Sequence, residues 1–168
     1  MWAQIRKQFR RKNARVAVAR KMIECGMRVG GISQVYVGDV EIDYTALARA
    51  AGVDRRVVKQ TVEQIERTPD LMAIYSKISP FGASLVGVAS KLGYSVLVVG
   101  ADPKARGVIA KVAKVLSDHG IVIRQALAED EDMVPDAKLV MVVEGEPPGE
   151  VLAKLEALDL VESVTLRK

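Results

Sequence analysis

Apolar residues recur at helical and strand spacing along the chain, in two different rhythms. In the first half the helical period dominates. Trp2, Ile5 and Phe9 fall on one side of a basic stretch, so residues 2–12 read as a short amphipathic helix. Asn13 is a favourable N-cap for a second helix to Cys25, with Val16, Val18, Ala19, Met22 and Ile23 on its apolar side and Gly26 placed to end it. Two apolar-rich runs, 35–37 and 40–42, flank Gly38-Asp39, a pair suited to a tight hairpin. Asp43 or Thr45 then caps a further helix. The segment 44–65 places Leu47 and Ala48 on one helix, Gly52 in a turn, and Val58 and Val62 on a second helix. That is the spacing of a helix-turn-helix, in which a small residue lets the helices cross closely and a glycine supplies a positive φ. Thr68-Pro69 stops the second helix, and residues 70–78 read as another short one.

Ser79-Pro80-Phe81-Gly82 is the clearest break in the chain. Residues 80–92 read as a connector helix capped by Ser84 and ended by Gly93. Beyond it the order becomes regular: strand 94–101, helix 107–119, strand 121–128, strand 138–144, helix 150–158 and strand 161–167. A β-α-β-β-α-β order predicts a ferredoxin-like unit, one four-stranded antiparallel sheet with both helices on one face. The expected class is therefore α+β, with a winged-helix-like helix-turn-helix domain over 1–79, the connector over 80–92 and a βαββαβ domain over 93–168.

Composition narrows the function. With 168 residues, 49% hydrophobic and 27% charged, the chain reads as globular. No apolar run approaches the roughly 18–20 residues of a membrane-spanning helix, and no secretory leader is legible at the start. One cysteine and one histidine leave no disulfide, Cys-type zinc site or His-pair metal motif, so no metal or cofactor is expected and a reducing, cytoplasmic setting is. Cys25 is expected to be packed among apolar neighbours. The net charge of +4 is unevenly spread: residues 1–79 hold 15 Lys/Arg against 8 Asp/Glu, and residues 80–168 hold 10 against 13. A basic first half implies a polyanion as its partner, and double-stranded DNA is the one its motif fits.

In that motif, Asp54–Arg67 is the recognition helix, and Arg55, Arg56, Lys59 and Gln60 are the candidate DNA-binding residues. Arg reads guanine bidentately, Gln can read adenine, and Lys59 suits phosphate. Arg10, Arg11, Lys12 and Arg15 are either further phosphate contacts or plain surface charge, and the Trp2/Ile5/Phe9 stripe is read as a packing surface.

In the second half, Asp102 closes a strand and Gly107 opens the next helix, where free backbone N–H groups and the helix dipole favour an anion. That turn, Gly107-Val108-Ile109-Ala110, the helix end Leu116-Ser117-Asp118-His119-Gly120 and the strand Ile121-Val122-Ile123-Arg124-Gln125 together resemble an ACT domain, a small-molecule-sensing module of amino-acid metabolism. The resemblance covers about residues 93–168. It departs from the usual Asp-x-x-Gly spacing, since four residues separate Asp102 from Gly107. The whole layout, with Met1-Trp2, the stretch 38–45, Gly52-Val53-Asp54-Arg55-Arg56-Val57-Val58 and Ile123-Arg124-Gln125, is similar to archaeal predicted regulators of amino-acid metabolism with a C-terminal ACT domain.

The resemblance implies an amino-acid effector held between two copies of the chain. Asp102, Arg106, Gly107 and Val108 would come from one copy, and Ile123, Arg124 and Gln125 from its neighbour. It implies a homodimer or tetramer and a ligand-responsive transcriptional regulator. The alternative is an amino-acid-sensing regulatory subunit that docks on a metabolic enzyme. An enzyme is not expected: His119 reads as a charge or cap at a helix end before Gly120, the 129–132 acidic run lacks calcium-loop spacing, and no Walker sequence follows Gly107.

Overall fold

A computed structural model describes residues 2–9 and 12–168, so Arg10 and Arg11 of the basic stretch lie outside the described residues. The chain is mixed α+β with two antiparallel sheets, in two compact units covering residues 1–82 and 83–168. Among the described residues no helix is long and apolar enough to cross a membrane.

The first unit holds helices α1 (Trp2–Gln8), α2 (Asn13–Glu24), α3 (Tyr44–Ala51), α4 (Arg55–Arg67) and α5 (Pro69–Tyr75), with strands β1 (Met27–Gly30), β2 (Gln34–Val37) and β3 (Val40–Glu41). The first helix ends at Gln8, so it is shorter than the expected 2–12. Asn13 is the first helical residue of α2, Lys12 occupies the cap position, and no side chain caps it. Cys25 lies past the helix end and is exposed, because the apolar stripe of α2 ends before it. The hairpin at Gly38-Asp39 pairs Val37 with Val40. It is joined by β1, which the hydropathy pattern hides: Met27 and Val29 point inward, while Arg28 lies across from Tyr36 with its guanidinium 4.5 Å from the ring centroid.

The core of this unit collects one side of every helix: Trp2, Ile5 and Phe9; Val18, Ala19 and Met22; Leu47 and Ala48; Val58, Val62 and Ile65; Leu71 and Tyr75. The Tyr75 hydroxyl donates to the Ala19 carbonyl at 3.0 Å, and burial pushes its pKa up. Asp43 and Asp54 cap α3 and α4, each accepting a backbone N–H two residues on at 2.7 Å. The turn between β1 and β2 is held by the helices. Glu66 accepts from Ser33 N and Oγ at 2.6 and 2.9 Å, and the Tyr44 hydroxyl donates to the Ser33 carbonyl at 2.6 Å.

The second unit begins with a 3-10 helix, Val86–Leu92, where the sequence reads as a connector α-helix. Then come β4 (Tyr94–Gly100), α6 (Val108–Asp118), β5 (Ile123–Ala128), β6 (Leu139–Glu144), α7 (Gly149–Glu156) and β7 (Ser163–Arg167). The sheet order is β5-β6-β4-β7 and every neighbouring pair is antiparallel. One face packs Leu97, Val99, Leu139, Met141 and Val143 against Val112 and Leu116 of α6 and Val151 and Leu155 of α7. On the other face Val96 and Val142 are covered by Ala89 of the 3-10 helix. The two central strands are thus apolar on both faces, which explains their near-continuous Val/Leu runs.

Two glycines of the first unit separate strain from crowding. Gly52 ends α3 at φ +65°, and a Cβ there would meet nothing within 4 Å. Gly26 has φ +63°, and its Cβ would lie 2.6 Å from the Pro80 backbone nitrogen. Gly52→Ala is expected to cost roughly 1–2 kcal/mol of left-handed strain, and Gly26→Ala clearly more. Urea unfolding followed by fluorescence of Trp2, the one tryptophan and a residue of the first unit, reads both. Equal losses would contradict the crowding argument.

Candidate functional site

Two surfaces concentrate the chemistry, one in each unit. On the first unit it is the solvent side of α4. Val58, Thr61, Val62 and Ile65 are fully buried, and Arg55, Arg56, Lys59, Gln60 and Arg67 are exposed on the other side. The four residues anticipated from sequence therefore all reach solvent on the first half of one helix. They are not equally free. Lys59 faces Glu63 one turn on, at 4.0 Å, an exposed pair of little energetic weight. Gln60 accepts from Arg15 Nη2 at 2.8 Å.

Arg15, which the sequence leaves between a phosphate contact and plain surface charge, is brought by α2 to the edge of α4. Its other guanidinium nitrogen, Nη1, donates to Gln64 Oε1 at 2.7 Å, and Gln64 Nε2 donates to the Gln8 carbonyl at 2.8 Å. The only signal in the sequence was the i, i+4 pair Gln60/Gln64; the partner lies 45 residues away from Gln60.

On the second unit, the turn between β4 and α6 opens onto a cavity of about 420 Å³. Asp102, Gly107 and Val108 line it, with Pro103 and Ala105 of the same turn. Opposite them stand Ala128, Glu129, Ala137, Lys138 and Leu139, from the end of β5 and the start of β6. Gly107 holds the N-cap of α6 at φ +90°, so the lengthened loop still presents the helix start to the cavity. Asp102 closes its own turn, accepting from Lys104 N at 2.9 Å. Arg106 is exposed and forms no part of the wall. Lys138 escaped the sequence reading, because only the pairing of β5 with β6 brings it under the turn. Its ammonium meets Asp136 at 2.7 Å.

Ile123, Arg124 and Gln125 do not line that cavity. Ile123 packs against the core under the helices. Arg124 sits at a bulge in β5, paired with Glu144 and 5.6 Å from the Tyr94 ring centroid. Gln125 is occupied at both ends. Its Oε1 accepts from Leu85 N at 2.9 Å and its Nε2 donates to the Ala83 carbonyl at 2.8 Å, tying the segment before the 3-10 helix to the sheet. Both polar side chains are thus engaged inside their own unit.

His119 is spent as well. Nδ1 lies 2.7 Å from the Val115 carbonyl and Nε2 lies 2.7 Å from the Lys154 ammonium. In the acidic loop, Glu129 accepts from Lys138 N, Asp130 from Asp132 N, and Glu131 faces Lys104. Among the described residues no group of three or more His, Cys, Asp or Glu could hold a metal ion.

No family model matches the chain, and no curated protein matches it. Among solved structures, the crystal structure of PH0061, an archaeal Pyrococcus protein, is similar over 74% of this chain and 78% of that one, at 15% identity and a TM-score of 0.29. A likeness at that score carries nothing about fold or activity.

Gln125→Ala is expected to free the segment around Leu85. Hydrogen exchange at the Leu85 amide should accelerate, with a stability loss of about 1 kcal/mol, whereas Arg124→Ala should leave that amide slow. An unchanged Leu85 amide in Gln125→Ala would remove the clamp from the account.

Proposed function

We propose that the protein is a ligand-responsive, DNA-binding transcriptional regulator of the kind the sequence resembles: a winged helix-turn-helix unit followed by a ferredoxin-like ACT unit. The observation that carries DNA binding is the solvent side of α4. Arg55, Arg56, Lys59 and Gln60 stand together on its first two turns, next to a capped N-terminus, in the half of the chain with the positive balance. In this reading α3, the Gly52 turn and α4 form the motif, and α4 enters the major groove by its N-terminal end. Arg55 and Arg56 meet base edges or phosphate, Lys59 meets phosphate, and the β2–β3 hairpin is the wing.

The second unit senses the effector. The cavity beside Gly107 combines three kinds of wall: the start of α6 with Lys138 near it, the carboxylates of Asp102 and Glu129, and apolar Ala128, Ala137 and Leu139. A free amino acid has the matching parts: a carboxylate for the helix start, an ammonium for the acids and a side chain for the apolar wall. Two copies associate, as ACT units do, and the effector alters DNA affinity by binding one arrangement of the assembly better than another.

Fluorescence anisotropy with a labelled duplex at increasing KCl tests the DNA-binding part. Binding should weaken steeply, with log K falling by about 0.9 per log unit of salt for each phosphate neutralised, and Arg55→Ala/Arg56→Ala/Lys59→Ala should flatten the slope by roughly one to three such contacts. Salt-independent binding, or a triple variant with an unchanged slope, would contradict it. A thermal-shift screen of the amino acids tests the sensor. An effector at 100 times its dissociation constant should add about 2.7 kcal/mol, and Gly107→Asp, which places a carboxylate at the helix start, should abolish the shift. A flat screen would count against the amino-acid reading and leave DNA binding untouched.

A further inference from the structure

We propose that Arg15 is a positioning residue for base recognition: it holds the Gln60 amide so that Gln60 offers hydrogen-bond donors, and the base it reads is guanine, with two adjacent major-groove acceptors, rather than adenine, whose N7 stands beside a donor. The inference rests on the DNA-binding reading of α4 and adds to it a specificity and the residue that sets it.

Two glutamines one turn apart on α4 share one arginine from α2. Guanidinium nitrogens only donate, so an amide atom facing them must be the oxygen. That assigns both amides by chemistry: Oε1 of Gln60 and Oε1 of Gln64 point to Arg15, at 2.8 and 2.7 Å. The orientation of Gln64 has an independent support, because its Nε2 faces the Gln8 carbonyl at 2.8 Å and a carbonyl only accepts. The chain of bonds therefore runs from the α1 backbone through Gln64 and Arg15 to Gln60.

The two ends of that chain differ. Gln64 is half-buried and spent on both atoms; it anchors Arg15. Gln60 is exposed and, among the described residues, is bonded through its oxygen, while its Nε2 carries two donor hydrogens. Adenine is read by an amide that accepts from N6 and donates to N7 at once. An amide whose oxygen is drawn sideways to a guanidinium is poorly disposed for that pair. Guanine offers two adjacent acceptors, O6 and N7, which match an amide that turns its NH2 group to the base. Arg15 thus biases a residue able to read adenine toward guanine, whose second major-groove group is an acceptor and not a donor.

The test is selection from a pool of random duplexes with wild type, Gln60→Ala, Arg15→Lys and Arg15→Ala, each first shown to melt as wild type does. The position at which Gln60→Ala loses its preference is the one Gln60 reads. Wild type should prefer guanine there by about fivefold or more. Arg15→Lys keeps the cation but not the fork. It should bind duplex DNA within about threefold of wild type at the same salt while that preference falls several-fold, and Arg15→Ala should admit adenine. A purely structural Arg15 would change melting or overall affinity and leave the base preference alone, which would overturn the proposal. So would adenine at that position in wild type, or salt-dependent binding with no base preference there. Absence of any duplex binding by wild type would remove the DNA-binding reading itself, and this inference with it.

Discussion

Burial of one side of α4 is the constraint on which the first unit depends. Val58, Thr61, Val62 and Ile65 are wholly inside, and α2, α3, α5 and β1 all pack against this helix. Thr61 is tolerated there because its hydroxyl donates to the Val57 carbonyl one turn back, at 2.7 Å. Closing four elements over one helical stripe leaves the opposite stripe uncovered, and the sequence has filled it with Arg, Lys and Gln. The far end of the same helix uses Glu66 to fix the turn between β1 and β2. A helix held along its length by apolar packing and at its edges by Glu66 and Gln64 presents its charged residues on a firm support, as the proposed base reading would need.

The second unit solves a different problem. Its central strands are apolar on both faces, and two helices cover only one. The 3-10 helix covers the other, and Gln125 secures the segment before it. That arrangement gives Gln125 a structural duty within one copy, and Arg124 pairs there with Glu144 beside Tyr94. The β4–α6 turn has no such structural duty beyond closing itself through Asp102. Its helix start, left open above an apolar hollow, is what remains of the expected ligand site.

Much of this was legible in the residues, and the parts that were not share a cause. The stripes of α4 and α6 are strongly periodic, and Gly52, Gly93 and Gly120 mark chain reversals at positive φ. Local rules therefore located the helices and their ends. Strand β1 escaped them: four residues with Arg28 among them carry little alternation, and only pairing with β2 makes them a strand. The 3-10 helix was read as α because a run with Gly87, Ala89 and Ser90 gives no periodic stripe to distinguish the two. In the candidate sites the same division holds. Arg55, Arg56, Lys59 and Gly107 sit on elements whose own pattern exposes them. Arg15 and Lys138 gain their places from partners elsewhere in the chain, and Arg124 and Gln125 also have partners within one copy that their own strand pattern does not reveal.

The proposed function turns on whether duplex DNA touches the first unit at α4. The most direct measurement is the change in backbone amide NMR shifts of the isotopically labelled full chain on addition of a duplex. The account predicts perturbations concentrated at the start of α4, from Arg55 to Gln60, with Arg15 beside them, and little change around the β4–α6 turn. Perturbations that avoid α4, or none at duplex concentrations that saturate an anisotropy signal, would contradict it.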